Sequence, residues 1–150
     1  MNTILEKMSD AQLYEYFENS MDDAEEFSAM IEMAYRKHSK ISEICLSIIN
    51  ARMPFEKNEH SLGNTKDALT CLYIYDDKSA INFVKSHYKE LPLDAFGNFI
   101  NDYTDKYYKS ENIDNDLIIL IKDYLKILKK EEIAEIQFDY DAFMKVYKNV

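Results

Sequence analysis

The sequence predicts an all-α fold, and three observations lead to this prediction. Only two glycines and two prolines occur among 150 residues, which is too few for the frequent turns of a β-sandwich. Apolar residues recur at spacings of three and four, whereas strict alternation never persists. Apolar residues also make up 47% of the chain, which is enough to form a core. We therefore expect a single all-α domain over residues 1–150, with about seven to eight helices.

Two capping signals and a proline mark the helices in the first third of the chain. Ser9 and Gln12 have the spacing of a capping box, and Asp23 and Glu26 repeat this spacing. Pro54 ends the third helix, because proline disfavours helical geometry in the residue before it. The three predicted helices run over Asp10 to Glu18, about Ala24 to Lys37, and Ser39 to Met53.

The segment Pro54 to Asn64 is the only long loop that the sequence predicts, and it is either a functional element or a connector between helix pairs. Polar residues that cap or begin helices follow it at intervals. These predicted helix starts are Asn64, Asp77 and Asp94. The helix that Asp94 caps carries an apolar stripe formed by Phe96, Phe99, Ile100, Tyr103 and Tyr107.

The segment Ile113 to Lys130 is the most hydrophobic part of the chain. Its run Leu117 to Ile121 leaves no polar face for a full turn, so we expect this helix to lie centrally. Two short helices then follow, around Glu131 to Ile136 and Asp141 to Tyr147. Similar Asp-Ala-Phe helix starts leave a HEAT-like stack of helix pairs open, although aspartate is also a common N-cap.

No motif for a cofactor, a metal or a known catalytic reaction is present. Three histidines occur without His-x-x-x-His or Glu-x-x-His spacing, and two glycines cannot form a Walker loop or a dinucleotide fingerprint. Cys45 and Cys71 lie in apolar runs, which indicates buried thiols in a reducing compartment. The longest apolar run is far below the roughly 20 residues of a membrane span. We expect a cytoplasmic, soluble protein without cofactor, metal or enzyme activity.

The net charge of −10 is concentrated in two segments. Residues 1–32 contain nine acidic residues and one lysine, a local balance of −8, and residues 102–116 contain a second acidic excess. Such a field repels nucleic acid and attracts basic proteins. If Asp23 and Glu26 cap a helix, Asp22, Glu25 and Glu32 are left for a partner. The candidate partner-binding residues are Glu15, Glu18, Asp22, Glu25, Glu32, Asp102 and Asp105.

Arg36 follows Glu32 by one helical turn, and this spacing predicts an ion pair on the helix surface. In length, acidity and absence of a catalytic motif, the chain is similar to the small helical immunity proteins that bacteria make against secreted toxins, including contact-dependent growth inhibition toxins. This resemblance implies a tight cytoplasmic complex with a cognate toxin domain. We expect that domain to be basic and of nuclease type, with its site covered by the acidic helical surface.

Two alternatives remain. One is a helical adaptor or a host-interaction module resembling viral Bcl-2-like proteins, which would bind an amphipathic helix in an apolar groove. The other is an enzyme whose site is assembled from scattered residues such as His87, Tyr88 and Asp94.

Overall fold

The computed structural model describes residues 3–53, 65–105 and 113–150, and these ranges contain ten α-helices and no strand. The all-α prediction is therefore confirmed, with more helices than the seven to eight expected. The predicted loop Pro54 to Asn64, the N-cap Asn64 and Tyr107 lie outside the described residues. The helices are α1 (Thr3–Glu6), α2 (Asp10–Glu18), α3 (Asp23–Tyr35), α4 (Ile41–Asn50), α5 (Thr65–Tyr75), α6 (Asp77–His87), α7 (Leu93–Thr104), α8 (Asn115–Ile127), α9 (Lys130–Glu135) and α10 (Gln137–Tyr147).

The capping box predicted at the start of α2 is confirmed. The backbone N–H of Gln12 donates to Ser9 Oγ at 3.2 Å, and the backbone N–H of Ser9 donates to Gln12 Oε1 at 2.8 Å. Both bonds satisfy N–H groups that have no partner within the helix. The start of α2 could therefore be predicted from Ser9 and Gln12 alone.

The capping box predicted from Asp23 and Glu26 is wrong by one residue. The N-cap of α3 is Asp22, whose Oδ1 accepts the backbone N–H of Glu25 at 2.8 Å. Glu25 Oε2 in turn accepts the backbone N–H of Met21 at 2.9 Å. The run Asp-Asp-Ala-Glu-Glu offers the same three-residue spacing in two registers, and the earlier register forms.

One further predicted helix start is confirmed and one predicted cap is displaced. Helix α6 begins at Asp77, as predicted, and Asp76 caps it by accepting the backbone N–H of Ser79 at 3.3 Å. Pro92 is the N-cap residue of α7, so Asp94 lies in the first turn. Aspartate in a first turn still interacts favourably with the helix dipole. Both of these predicted helices therefore exist, and each begins within two residues of its predicted start.

The most enclosed helix is α5, which packs against α3, α4, α6 and α7. The ring of Tyr73 lies 5.8 Å from that of Phe99 and 6.3 Å from that of Tyr103, both on α7. Seven of its eleven residues are buried, namely Thr65, Ala68, Leu69, Thr70, Cys71, Leu72 and Tyr73. Burial around the whole circumference is typical of a central core helix.

The prediction that the segment Ile113 to Lys130 lies centrally is wrong. In α8, Ile118 and Ile121 are buried, but the side chains of Ile119 and Ile127 are 51% and 70% exposed. A continuous apolar run places side chains around the whole helix, and such a helix is enclosed only where neighbours surround it. In this fold α8 is covered on one side. None of the helices in the described ranges is long and apolar enough to span a membrane.

Arg36 joins the start of the chain to α3. Its guanidinium donates to the carbonyl oxygens of Met8 at 2.7 Å and Leu5 at 3.0 Å, and it pairs with Glu32 at 2.8 Å and Asp10 at 3.3 Å. The hydrogen bond with Glu32 raises the pKa of Arg36, and burial opposes this rise. The predicted ion pair between Glu32 and Arg36 is confirmed. It is partly buried, because the two side chains are only 14% and 21% exposed.

Helices α7 and α10 approach closely at Gly97. A Cβ atom at this position would lie 2.8 Å from Asp139 Oδ2 and 2.8 Å from Ile136 Cγ2. Real Cβ atoms essentially never come this close to another heavy atom. The absence of a side chain at Gly97 therefore permits the observed packing of α10 on α7.

We expect Gly97→Ala to destabilise the fold by about 1–3 kcal/mol, because the added methyl group forces α7 and α10 apart. At an exposed position of a helix the same substitution would have the opposite effect, because alanine stabilises a helix by about 1 kcal/mol relative to glycine. The measurement is urea unfolding followed by far-ultraviolet circular dichroism. Ser47→Ala, at an exposed position of α4, is the control and should change stability by less than about 0.5 kcal/mol. An unchanged or increased stability of Gly97→Ala would contradict the expectation.

Candidate functional site

The predicted partner-binding residues in the first part of the chain fall into two groups. Glu15 and Glu18 are exposed on α2, and their side chains make no hydrogen bond or ion pair within the described ranges. Asp22 and Glu25 form the cap of α3, and Glu32 holds Arg36. Only the first group is therefore left without a structural role in these parts of the chain.

The predicted residue Asp102 belongs to a polar cluster between α5 and α7. Thr70 Oγ1 donates to Asp102 Oδ2 at 2.6 Å. Asn98 Nδ2 donates to Thr70 Oγ1 at 2.9 Å and lies 3.4 Å from the same carboxylate oxygen. A buried polar group such as Thr70 requires these bonds, since an unsatisfied hydroxyl in the core is costly.

A second polar contact joins α7 to α10 nearby. Asn101 Nδ2 donates to Asp139 Oδ1 at 2.8 Å, and the other oxygen of Asp139 lies against Gly97. The close approach at Gly97 therefore holds a carboxylate of α10 against the face of α7 next to the face that carries Asp102. Electrostatic repulsion from Asp139 contributes to the raised pKa of Asp102, which supports this proximity.

Burial raises the pKa of Asp102 to about 6. The hydrogen bond from Thr70 opposes this rise, and the negative charges of Asp105, Asp139 and Asp67 add to it. A carboxylate with these surroundings is partly protonated near pH 6. Asp102 is therefore a group whose charge depends on pH within the physiological range.

The pKa of Asp67, at the start of α5, is also raised. Burial is the largest cause, Lys66 opposes it, and the charges of Asp23 and Glu26 at the start of α3 add to it. Electrostatic interactions thus connect carboxylates on four helices that are distant in sequence. We call these residues the acidic seam: Asp23, Glu26, Asp67, Asp102, Asp105 and Asp139.

The acidic seam differs from the predicted set of partner-binding residues. Of the predicted partner-binding residues, only Asp102 and Asp105 belong to the acidic seam. Within the described ranges, Glu15 and Glu18 do not interact with the seam. Asp67 and Asp139 are seam residues that the sequence analysis missed. Both lie outside the two acidic segments, so no local signal identified them.

The buried environment of Cys71 disfavours a nucleophilic role for its thiol. Cys45 and Cys71 are buried and free, as predicted. A hydrogen bond with Cys45 and burial raise the pKa of the Cys71 thiol well above its ordinary value, which disfavours the nucleophilic thiolate. His87 Nδ1 lies 3.1 Å from Glu90 Oε2, and the ring of Tyr88 packs on that of Tyr124 at 5.1 Å.

A metal site is not apparent in the described ranges, where no group of three or more histidine, cysteine, aspartate or glutamate side chains could hold an ion. No family model, curated protein or solved structure matches the chain.

We expect the stability of the fold to decrease as the pH rises from about 4 to about 6. The pKa of Asp102 is about 6 in the folded chain, against about 3.9 in an unfolded chain. The folded state therefore binds more protons between these two pH values, and ionisation of Asp102 costs stability above them. Asp102→Asn removes this charge, and should be more stable than the wild type by about 1–2 kcal/mol at pH 7.5 and equally stable at pH 4.

The measurement is urea unfolding at a series of pH values. Asp123→Asn is the matched control, because the Asp123 side chain is 69% exposed and its substitution should change stability by less than about 0.5 kcal/mol at every pH. If Asp102→Asn retains the pH dependence of the wild type between pH 4 and 6, Asp102 does not have the raised pKa.

Proposed function

We propose that this chain is a protein-binding inhibitor of the immunity type, which neutralises a basic, nuclease-type toxin domain in the cytoplasm by covering its site. The observation that carries the proposal is the acidic seam, in which carboxylates from α3, α5, α7 and α10 repel one another. This repulsion is unfavourable in the free chain. A basic surface placed over the seam would remove it, so cationic partners are favoured over neutral ones.

Partial burial makes the seam a stronger cation-binding surface than scattered exposed acids. Exposed ion pairs contribute about 0–1 kcal/mol because water and salt screen them. Asp67 and Asp102 are less screened, as their raised pKa values indicate. Lysine or arginine side chains of the partner would lower both pKa values and favour the ionised carboxylates.

Glu15 and Glu18 have a different role in this proposal. Both are exposed on α2, and exposed acids act over distance by increasing the rate of encounter with a basic partner. Glu25 and Glu32 are poor probes of binding, because reversing their charge would disturb the cap of α3 and the contact with Arg36. The two exposed glutamates are therefore the residues to change in a kinetic test.

The test begins by co-purifying the partner of the tagged chain and by identifying the reading frame beside its gene. We expect a basic domain whose association with the double variant Glu15→Lys and Glu18→Lys is about tenfold slower at low ionic strength. The difference should shrink at high salt, since the Debye length falls from about 10 Å at 0.1 M to about 3 Å at 1 M. Stopped-flow fluorescence measures the rates.

Glu135→Lys, at an exposed position of α9, is the control and should associate at a rate close to that of the wild type. A partner with an acidic surface would overturn the proposal. Equal association rates for the double variant and the wild type at low salt would exclude steering by α2.

A further inference from the structure

The two cysteines of the chain meet in the core between α4 and α5. Cys45 lies on α4 and Cys71 on α5, and a hydrogen bond joins their thiols. Both side chains are fully buried, with an exposed fraction of 0%. The sequence contains no third cysteine. Each thiol is therefore the only one with which the other can pair inside the chain.

The packing of α4 allows the two sulfurs to come closer together. Helix α4 packs mainly on α5 and has a smaller contact with α3. Its other side faces water, since Glu43, Ser47 and Asn50 are exposed. A disulfide bond requires the sulfurs to approach to about 2 Å. A small tilt of α4 can supply this approach, because the helix is held mainly from one side.

The thiol pair lies next to the polar cluster between α5 and α7. Thr70 precedes Cys71 in α5 and donates to Asp102 at 2.6 Å. The hydrogen bond with Cys45, burial, and the negative charges of Asp67 and Asp102 raise the pKa of the Cys71 thiol. The thiolate is the reactive form of cysteine. Because Cys71 holds its proton, Cys45 is the sulfur that attacks an oxidant first.

We propose that Cys45 and Cys71 form a redox-sensitive site, at which a peroxide converts the contacting thiols into a disulfide bond between α4 and α5. In a reducing compartment the dithiol is the resting form, and the disulfide forms when peroxide is present. The inference goes beyond the proposed inhibitory function and does not depend on it, because the reaction involves the core contact of two helices and requires no partner.

The reaction with hydrogen peroxide has two steps. The Cys45 sulfur attacks one peroxide oxygen, the O–O bond breaks, and the released hydroxide takes the thiol proton to form water. Cys45 is then a sulfenic acid. The Cys71 sulfur attacks the Cys45 sulfur, the S–O bond breaks, and the hydroxyl group leaves as water with the Cys71 proton. In total, two electrons pass from the sulfurs to the peroxide, and two water molecules are released.

The contact between the thiols favours the disulfide over further oxidation. A sulfenic acid is converted to a sulfinic acid when a second oxidant molecule reaches it first. The Cys71 sulfur is already in place, and groups held in contact react as if at very high concentration, which compensates for the low reactivity of this thiol. A second peroxide molecule must instead enter the core. Burial also disfavours bulky oxidants, so a small peroxide fits the site best.

Peroxide treatment of the full, folded chain tests the proposal. After treatment, free thiols are blocked, and the peptides that carry Cys45 and Cys71 are identified by mass spectrometry. We expect a cross-link within one chain that lacks two hydrogen atoms and returns to the dithiol on reduction. Measurement of these peptides separates the cross-link from oxidation of exposed methionines such as Met21.

The cross-link should also stabilise the fold, because it restricts the unfolded chain. We expect the equilibrium constant for unfolding in urea to fall at least about tenfold on oxidation. Cys45→Ala and Cys71→Ala are matched controls, since each retains one thiol. Both should take up oxygen at the remaining cysteine without gaining stability. Circular dichroism would verify that each variant is folded before treatment.

Four outcomes would overturn the proposal. The folded wild type could retain both thiols in peroxide and form the cross-link only in urea. Its cysteines could take up oxygen without cross-linking, or disulfides between two chains could be the main product. A cross-linked chain that is less stable than the reduced chain would show that the thiol pair does not fit a disulfide bond.

Discussion

The burial of α5 is the constraint on which the other helices depend. Four helices pack around it, and its aromatic side chain Tyr73 is enclosed by rings of α7. Thr70 lies in the buried part of this helix, so its hydroxyl must bond to a neighbour. It donates to Asp102, and thereby places a carboxylate at the edge of the core. The raised pKa of Asp102 is thus a consequence of core packing.

The acidic residues of this chain differ in their effect on the stability of the fold. Some satisfy backbone groups, as Asp22 does, or hold a distant segment, as Glu32 does through Arg36. Two members of the acidic seam, Asp67 and Asp102, lower the stability of the free chain through burial and through repulsion from neighbouring carboxylates. A protein retains such groups most readily where function requires them, since stability and activity often conflict at binding sites. This contrast makes the acidic seam a better candidate interface than the most acidic stretch of sequence.

Local sequence signals predicted the features that depend on a few neighbouring residues. The spacing of Ser9 and Gln12 correctly predicted the start of α2, and the spacing of Glu32 and Arg36 correctly predicted an ion pair. The same reasoning was ambiguous at the start of α3, because Asp22 with Glu25 and Asp23 with Glu26 both have the three-residue spacing of a capping box. The acidic seam could not be predicted, because Asp67 and Asp139 meet Asp102 only through the packing of α5, α7 and α10. Which apolar helix becomes central also depends on its neighbours, and hydrophobicity alone placed α8 wrongly.

The two thiols give this protein a natural reporter of its own motions. Cys45 and Cys71 lie on α4 and α5, which pack together, and both are shielded from solvent. A thiol reagent reaches them only when these helices separate, so the rate of modification follows the free energy of that opening event. Because no exposed cysteine occurs in the chain's described parts, the signal requires no added dye or engineered probe. Protection of the thiols by a ligand would then measure how strongly binding rigidifies the central helix.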